Sequence, residues 1–261
     1  MDNVSTILVP FDFSQTSKNA LDYAVEFVGN DKKTEILLAY ITNDVNMNML
    51  EEAFMIEQKK YQKKLERPMK WVTAWGPLTD ALIKTQETRN IDLIIMGTSG
   101  AFDEKDAMAS NTSKLVLEAN CTVIVIPQNI KELQVKNIAL VLGKNEIDDT
   151  KVLGTLLNVA RKFNAKVHVL TIQNEPGTYG YSQSDEKNEN ALEYYLETFY
   201  SHHVFIENSD VVDGIFKYVT EREIDMIAIL PRNHTKNSDP SEGRLTQILT
   251  LKSKVPVLAI S

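Results

Sequence analysis

Thr6-Ile7-Leu8-Val9-Pro10-Phe11-Asp12-Phe13-Ser14 is the stretch that decides the fold. Ile7, Leu8 and Val9 are apolar in succession, with no polar residue alternating between them. A helical pattern follows over Gln15–Val28, where Ala20, Leu21, Ala24, Val25 and Val28 fall on one stripe. A strand without a polar face, joined to an amphipathic helix, implies a parallel sheet covered on both sides. Working outward, the same alternation predicts strands at Glu35–Ile41, Lys70–Ala74, Asp92–Met96 and Thr122–Ile126. Helices are expected between them at Leu50–Glu66, Leu78–Thr88 and Asn111–Ala119.

The second half of the chain repeats this order. Ile7-Leu8-Val9 is answered by Ile138-Ala139-Leu140, and Ala81-Leu82-Ile83-Lys84 by Gly214-Ile215-Phe216-Lys217. At the offset of this second match, Arg89, Ile91 and Asp92 meet Arg222, Ile224 and Asp225. The closing run Thr122–Ile126 is answered by Pro256–Ile260. Identical polar residues at a constant offset point to duplication rather than to a general likeness of apolar strands. Pro127–Gln134 forms the junction, because proline ends a strand and a short polar connection follows. The expected domains are residues 1–128 and 135–261. Each is a doubly wound five-stranded parallel sheet with strand order 3-2-1-4-5, the second degenerate in its site residues. Asn174–Asn190, with Pro176, Gly177 and Gly180, is predicted to be a loop; its counterpart in the first half is Thr42–Met49.

A chain of 261 residues can bury two cores of ordinary size. Its 43% hydrophobic and 25% charged residues are globular values. A net charge of −8 argues against a general nucleic-acid binder. The lone Cys121 allows no internal disulfide, which suits a cytoplasmic setting. The first residues lack a basic segment followed by an apolar one, so no signal peptide is expected. No apolar run approaches the roughly 20 residues of a membrane span, and no membrane partner is expected.

Three features of the first half converge on the carboxyl edge of the predicted sheet. Asp12 follows the first strand, Met96-Gly97-Thr98-Ser99-Gly100 ends the fourth, and Ser110-Asn111-Thr112 opens the next helix. Ligands of open parallel sheets sit at this edge, where strand order reverses. Glycines let a backbone approach a phosphate, and a helix start offers free N–H groups. Gly97–Gly100 also reads as a plain turn, and Asp12 as a cap for the first helix.

Val9-Pro10-x-Asp12-x-Ser14, together with Gly97-x-x-Gly100 and a hydroxyl-bearing helix start, resembles the universal stress protein family over nearly the whole chain. The resemblance implies a tandem, non-catalytic stress-response or regulatory binder. It further implies ATP or another adenine nucleotide in the first half, with Mg²⁺ if a triphosphate is held. On this reading Pro10, Asp12 and Ile41 lie on the adenine and ribose side, and Gly97, Gly100, Ser110, Asn111 and Thr112 on the phosphate side. A slow ATPase and a nucleotide-free scaffold are the alternatives. The chain departs from the family pattern at Ala109-Ser110, where glycine is usual. The spacer is also acidic, with Asp103, Glu104 and Asp106 against Lys105. The two halves are expected to pair with each other through their apolar closing strands, and a homodimer is a further expected state.

In the second half Gly143 replaces Asp12, and Leu230 and Asn233 replace the glycines. The helix there is expected to open at Gly243-Arg244. Arg232, His234 and Arg244 form a candidate anion cluster, the alternative being three solvated side chains. His202 and His203 are adjacent on a strand and point to opposite faces, so they cannot chelate one metal. His168 and Cys121 read as packed residues, as do Trp71 and Trp75, which are expected on one face of the third strand. The runs Glu51-Glu52 and Lys59-Lys60 fit a solvated helix face.

Overall fold

A computed structural model of the chain describes residues 4–43, 46–100, 110–130, 134–143, 146–147, 150–174, 181–231 and 241–261. The chain divides into two compact units, Asp2–Leu133 and Gln134–Ser261, the latter joined by Met1.

In the first unit the strands are β1 (Thr6–Pro10), β2 (Glu35–Ile41), β3 (Lys70–Ala74), β4 (Leu93–Thr98) and β5 (Thr122–Pro127). All pair in parallel, with β1 between β2 and β4, β3 beyond β2, and β5 beyond β4. Its helices are α1 (Gln15–Val28), α2 (Met47–Tyr61), α3 (Leu78–Arg89) and α4 (Asn111–Glu118). Right-handed crossovers from a central β1 put α1 and α2 on one face and α3 and α4 on the other. The side chains agree: Tyr61 of α2 donates to Asp22 of α1 at 2.7 Å, and Thr79 of α3 donates to the Asn111 carbonyl at the start of α4 at 3.5 Å. The strands are apolar throughout because both faces are covered: Ile7, Leu8, Val9, Ile94, Ile95, Val123 and Ile124 are fully buried.

The second unit repeats the plan with β6 (Asn137–Val141), β7 (Lys166–Gln173), β8 (Tyr200–Glu207), β9 (Met226–Ile229) and β10 (Val257–Ala259). Here β6 lies between β7 and β9, β8 beyond β7, and β10 beyond β9, again all parallel. The helices are α5 (Lys151–Phe163), α6 (Gln183–Leu196), α7 (Val211–Glu221) and α8 (Ser241–Lys252). The duplication also extends to the strand ends. Asp92 accepts from the backbone N–H groups of Ser5 and Thr6, and Asp225 does the same for Lys136 and Asn137.

Several boundaries differ from the sequence expectation. The loop expected over Asn174–Asn190 does not reach past Ser182, because Ser182 and Asp185 form a reciprocal capping box that starts α6 at Gln183; Pro176, Gly177 and Gly180 lie outside the described residues. In the first half Asn46 caps α2 by accepting from the Asn48 and Met49 N–H groups, so Met47 and Met49 are helical. That helix ends at Tyr61, not Glu66. Helix α8 begins at Ser241, which places Gly243 and Arg244 inside its first turn. Trp75 lies beyond β3 and is 64% exposed, whereas Trp71 stacks on Phe54 of α2 with ring centroids 4.7 Å apart.

Candidate functional site

The carboxyl edge of the first sheet is built around the turn that joins β1 to α1. Asp12 does not cap the helix; Ser14 does, its Oγ accepting from the Ser17 N–H at 3.2 Å. Asp12 instead closes a turn over Phe13, its Oδ1 accepting from the Ser14 N–H at 3.0 Å. Its own N–H donates to Ser17 Oγ at 3.4 Å. Partial burial would raise the Asp12 pKa. Hydrogen bonds from Ser14, Ser17 and the backbone outweigh that burial and hold it below the ordinary aspartate value. The carboxylate is therefore ionised at neutral pH and exposed at the strand end.

Phe13 has φ 65°, a left-handed conformation that a bulky side chain rarely adopts. An aromatic cluster holds it there. Its ring lies 5.0 Å from Phe11, 5.0 Å from Phe54 and 5.9 Å from Tyr40. The cluster anchors the turn from the α2 side and leaves Asp12 outside it. Tyr40 shares that cluster, so its neighbour Ile41, at the end of β2, points to the opposite face of the sheet and is half-buried. Pro10 closes β1 beside Ala39 of β2.

Gly97 lies within β4, and its missing side chain has a packing reason. A Cβ there would come 2.3 Å from the Thr16 carbonyl oxygen and 2.8 Å from the Thr16 methyl. The first turn of α1 therefore rests directly on the end of β4. Close packing of helix on strand is thus one structural reason for glycine at this position. Gly100 differs: it has φ 85°, and its N–H donates to Thr98 Oγ1 at 3.1 Å. Only that glycine needs its conformational freedom in the loop itself.

Ser110 caps α4, its Oγ accepting from the Ser113 N–H at 3.1 Å. Asn111 is exposed at the first helical position, while Thr112 is buried in the first turn. The structure thus brings Pro10, Asp12, Gly97 and Gly100 to one edge through the Thr16–Gly97 contact. Ser110, Asn111 and Thr112 stand on the next element, beside the start of α3. Ala109, Asp103, Glu104, Lys105 and Asp106 lie outside the described residues, as do Arg232, Asn233 and His234. Sequence reasoning missed Phe13, Thr16 and Ser17. Phe11-x-Phe13 and Ser14-x-x-Ser17 were the available signals, and both need neighbours remote in sequence to acquire meaning.

The equivalent edge of the second unit has Gly143 exposed where Asp12 stands, and Leu230 in place of Gly97. Arg244 is exposed inside α8. On β7 and β8 the histidines occupy opposite faces. His168 meets Tyr218 at 3.2 Å and lies 4.8 Å, ring to ring, from His202, whereas His203 meets Thr171 at 2.9 Å. Burial lowers the pKa of both His168 and His203. Among the described residues no group of three or more His, Cys, Asp or Glu is placed to hold a metal ion. Among them, too, no helix is long and apolar enough to cross a membrane.

Comparison with known proteins agrees with this division. The profile of the Universal stress protein family matches the chain twice, over residues 3–127 and 134–261. A universal stress protein from Archaeoglobus fulgidus DSM 4304 is similar in structure, with a TM-score of 0.69 and 16% identity over 98% of this chain and 96% of that one. A putative universal stress protein from Pseudomonas aeruginosa UCBPP-PA14 gives 0.66 and 12% over 98% and 93%. The cytoplasmic domain of a prokaryotic cation chloride cotransporter gives 0.52 and 11% over 98% and 95%. Identities this low establish the fold alone. No match was found among curated proteins.

Proposed function

The chain belongs to the universal stress protein family, and on that premise we propose that it is a non-catalytic regulatory binder holding one adenine nucleotide in its first half. The observation that carries this reading is the asymmetry of the two carboxyl edges. In the first, an ionised Asp12, a left-handed Gly100 and the Ser110-capped start of α4 surround the point where strand order reverses. In the second, Gly143 and Leu230 stand at the corresponding places. Asp12, Pro10 and Ile41 would take the base and ribose; Gly100, Ser110, Asn111 and Thr112 would take the phosphates, with Mg²⁺ accompanying a triphosphate. Gly97 would support the site from behind by seating α1. No paired base and nucleophile is part of the set, so binding, not turnover, is the activity proposed.

Titration calorimetry with ATP and Mg²⁺, and separately with AMP, tests it. One site per chain is expected, lost in Asp12→Ala combined with Gly100→Val. Two equivalent sites, or one that survives both changes, would overturn the assignment. A nucleotide-free scaffold is the second reading. It is favoured by Thr16, which fills the space beside Gly97, and by Phe13, which packs inward against Phe54. The absence of any nucleotide from purified, denatured protein, together with no heat of binding, would select it. We further propose that the two halves pair with each other in the cytoplasm, so that residues 1–130 alone would lose stability or dimerise.

A further inference from the structure

Helix α2 and the connection to β3 carry an exposed surface that the nucleotide reading does not use. Met49 is 69% exposed, Met55 47% and Ile56 60%. Beside them lies a groove of ≈ 530 Å³ lined by Met55, Gln58, Lys59, Leu65, Pro68 and Met69. Residues 59–67 add Lys59, Lys60, Lys63, Lys64 and Arg67 against a single Glu66, in a chain whose net charge is −8. Lys60 is paired with Glu57, and Arg67 with Glu35. Among the described residues Lys59, Lys63 and Lys64 form no ion pair.

Helix α6 holds the same place in the second half, between the second and third strands of its unit. It is acidic, with Asp185, Glu186, Glu189 and Glu193 against Lys187, whereas residues 59–67 are basic; α2 itself also carries Glu51, Glu52 and Glu57. Glu186, Asn190, Glu193 and Tyr194 fall on one helical stripe. Tyr194 is 77% exposed, more than any other large hydrophobic side chain described. One repeat position therefore presents, in one half, a groove with Lys59, Glu66 and Arg67 in its lining and Lys63 and Lys64 in the same stretch of chain. In the other half it presents a protruding tyrosine rimmed by glutamates.

We propose that the α2 groove is the docking site for the α6 face of a second copy of this chain, with Tyr194 seated between Met55 and Leu65. Lys59 and Lys63 face Glu186 and Glu193 across the contact. Tyrosine suits the anchor role because it buries a large rigid ring at little entropic cost. Complementary charge selects the partner and its register. The two surfaces differ, so the contact is heterologous and each copy keeps a free groove and a free tyrosine face. Association is then open-ended and grows with concentration.

The test is sedimentation velocity on the full chain over about a hundredfold concentration range, at low and high salt. The mean mass is expected to rise with concentration at low salt and to fall back at high salt. Tyr194→Ser should weaken the association at least about tenfold, as loss of an aromatic anchor does. Lys59→Glu with Lys63→Glu should abolish it, and so should Glu186→Lys with Glu193→Lys. A chain carrying both reversed pairs should associate again, which simple misfolding could not produce. A mass that stays monomeric at every concentration in low salt overturns the proposal. So does a charge reversal that shifts only the denaturation curve, which would place the contact within one chain.

Discussion

Gly97 shows how one atom's absence can set the geometry of an edge. Its side of β4 is filled by Thr16, with the backbone oxygen 2.3 Å from where a Cβ would stand. Gly97→Ala must therefore push α1 off the sheet. A loss of about 1–3 kcal/mol is expected, the range for overpacking, read by urea denaturation of the first unit. Gly154, by contrast, has nothing within 4 Å of its added Cβ and sits inside α5. Gly154→Ala should stabilise that helix by up to about 1 kcal/mol. Asp12 belongs to this scale as well. Its folded pKa lies below the ordinary 3.8, so its contribution is complete above that value. It is lost as the pH falls through the lower, folded value. Asp12→Asn should remove that acid dependence while keeping the turn. The sequence marked Asp12 and Gly97 as special but not the packing of Gly97 on Thr16, which touches it only after α1 has docked.

Elements were legible where one strong local signal dominated. The starts of α1 at Gln15 and α4 at Asn111, and strands such as β2 and β3, fall where periodicity places them, although the cap of α1 is Ser14 and not Asp12. The start of α6 was not, because its polar sequence looks like a loop until the Ser182–Asp185 box is paired. The α2–β3 layer is held by Phe54, fully buried and stacked on Trp71. Phe54→Ala is expected to cost about 3–5 kcal/mol and to release Phe13 from its left-handed turn, seen as a changed Trp71 fluorescence. In the second unit, burial depresses the pKa of His168 and His203 below 6.5. For His203 the Asp185 and Glu189 charges oppose this but do not outweigh it; for His168, His202 and Arg222 add to it. Folded protein thus binds fewer protons than unfolded protein just below that pH. Stability should be full above about pH 6.5 and decline as the pH falls below it. His203→Gln should flatten part of that slope in melting curves taken across the range.

At the scale of the molecule, both tryptophans, Trp71 and Trp75, belong to the first unit. Tryptophan fluorescence therefore reports that unit alone, while far-ultraviolet circular dichroism reports both. Adenine nucleotide at a hundredfold excess over its dissociation constant should stabilise the first unit by about 2.7 kcal/mol. The fluorescence transition should move, and the part of the dichroism transition due to the second unit should not. Movement of the second unit's part alone would place the site in the second half. Duplication, the α/β class and membership of the family were all readable along the chain. The first two rest on periodicity and on residues repeated at constant spacing, the third on the resemblance of the Val9–Ser14 and Gly97–Gly100 motifs to the family's, all properties of sequence order. The tertiary structure alone decided that Gly97 packs against Thr16, that Phe13 is pinned in an aromatic cluster, and that a groove forms beside Met55 and Leu65. Each of these is a relation between residues that only folding brings within a few ångströms. Local propensity carries no information about which remote side chain will arrive there.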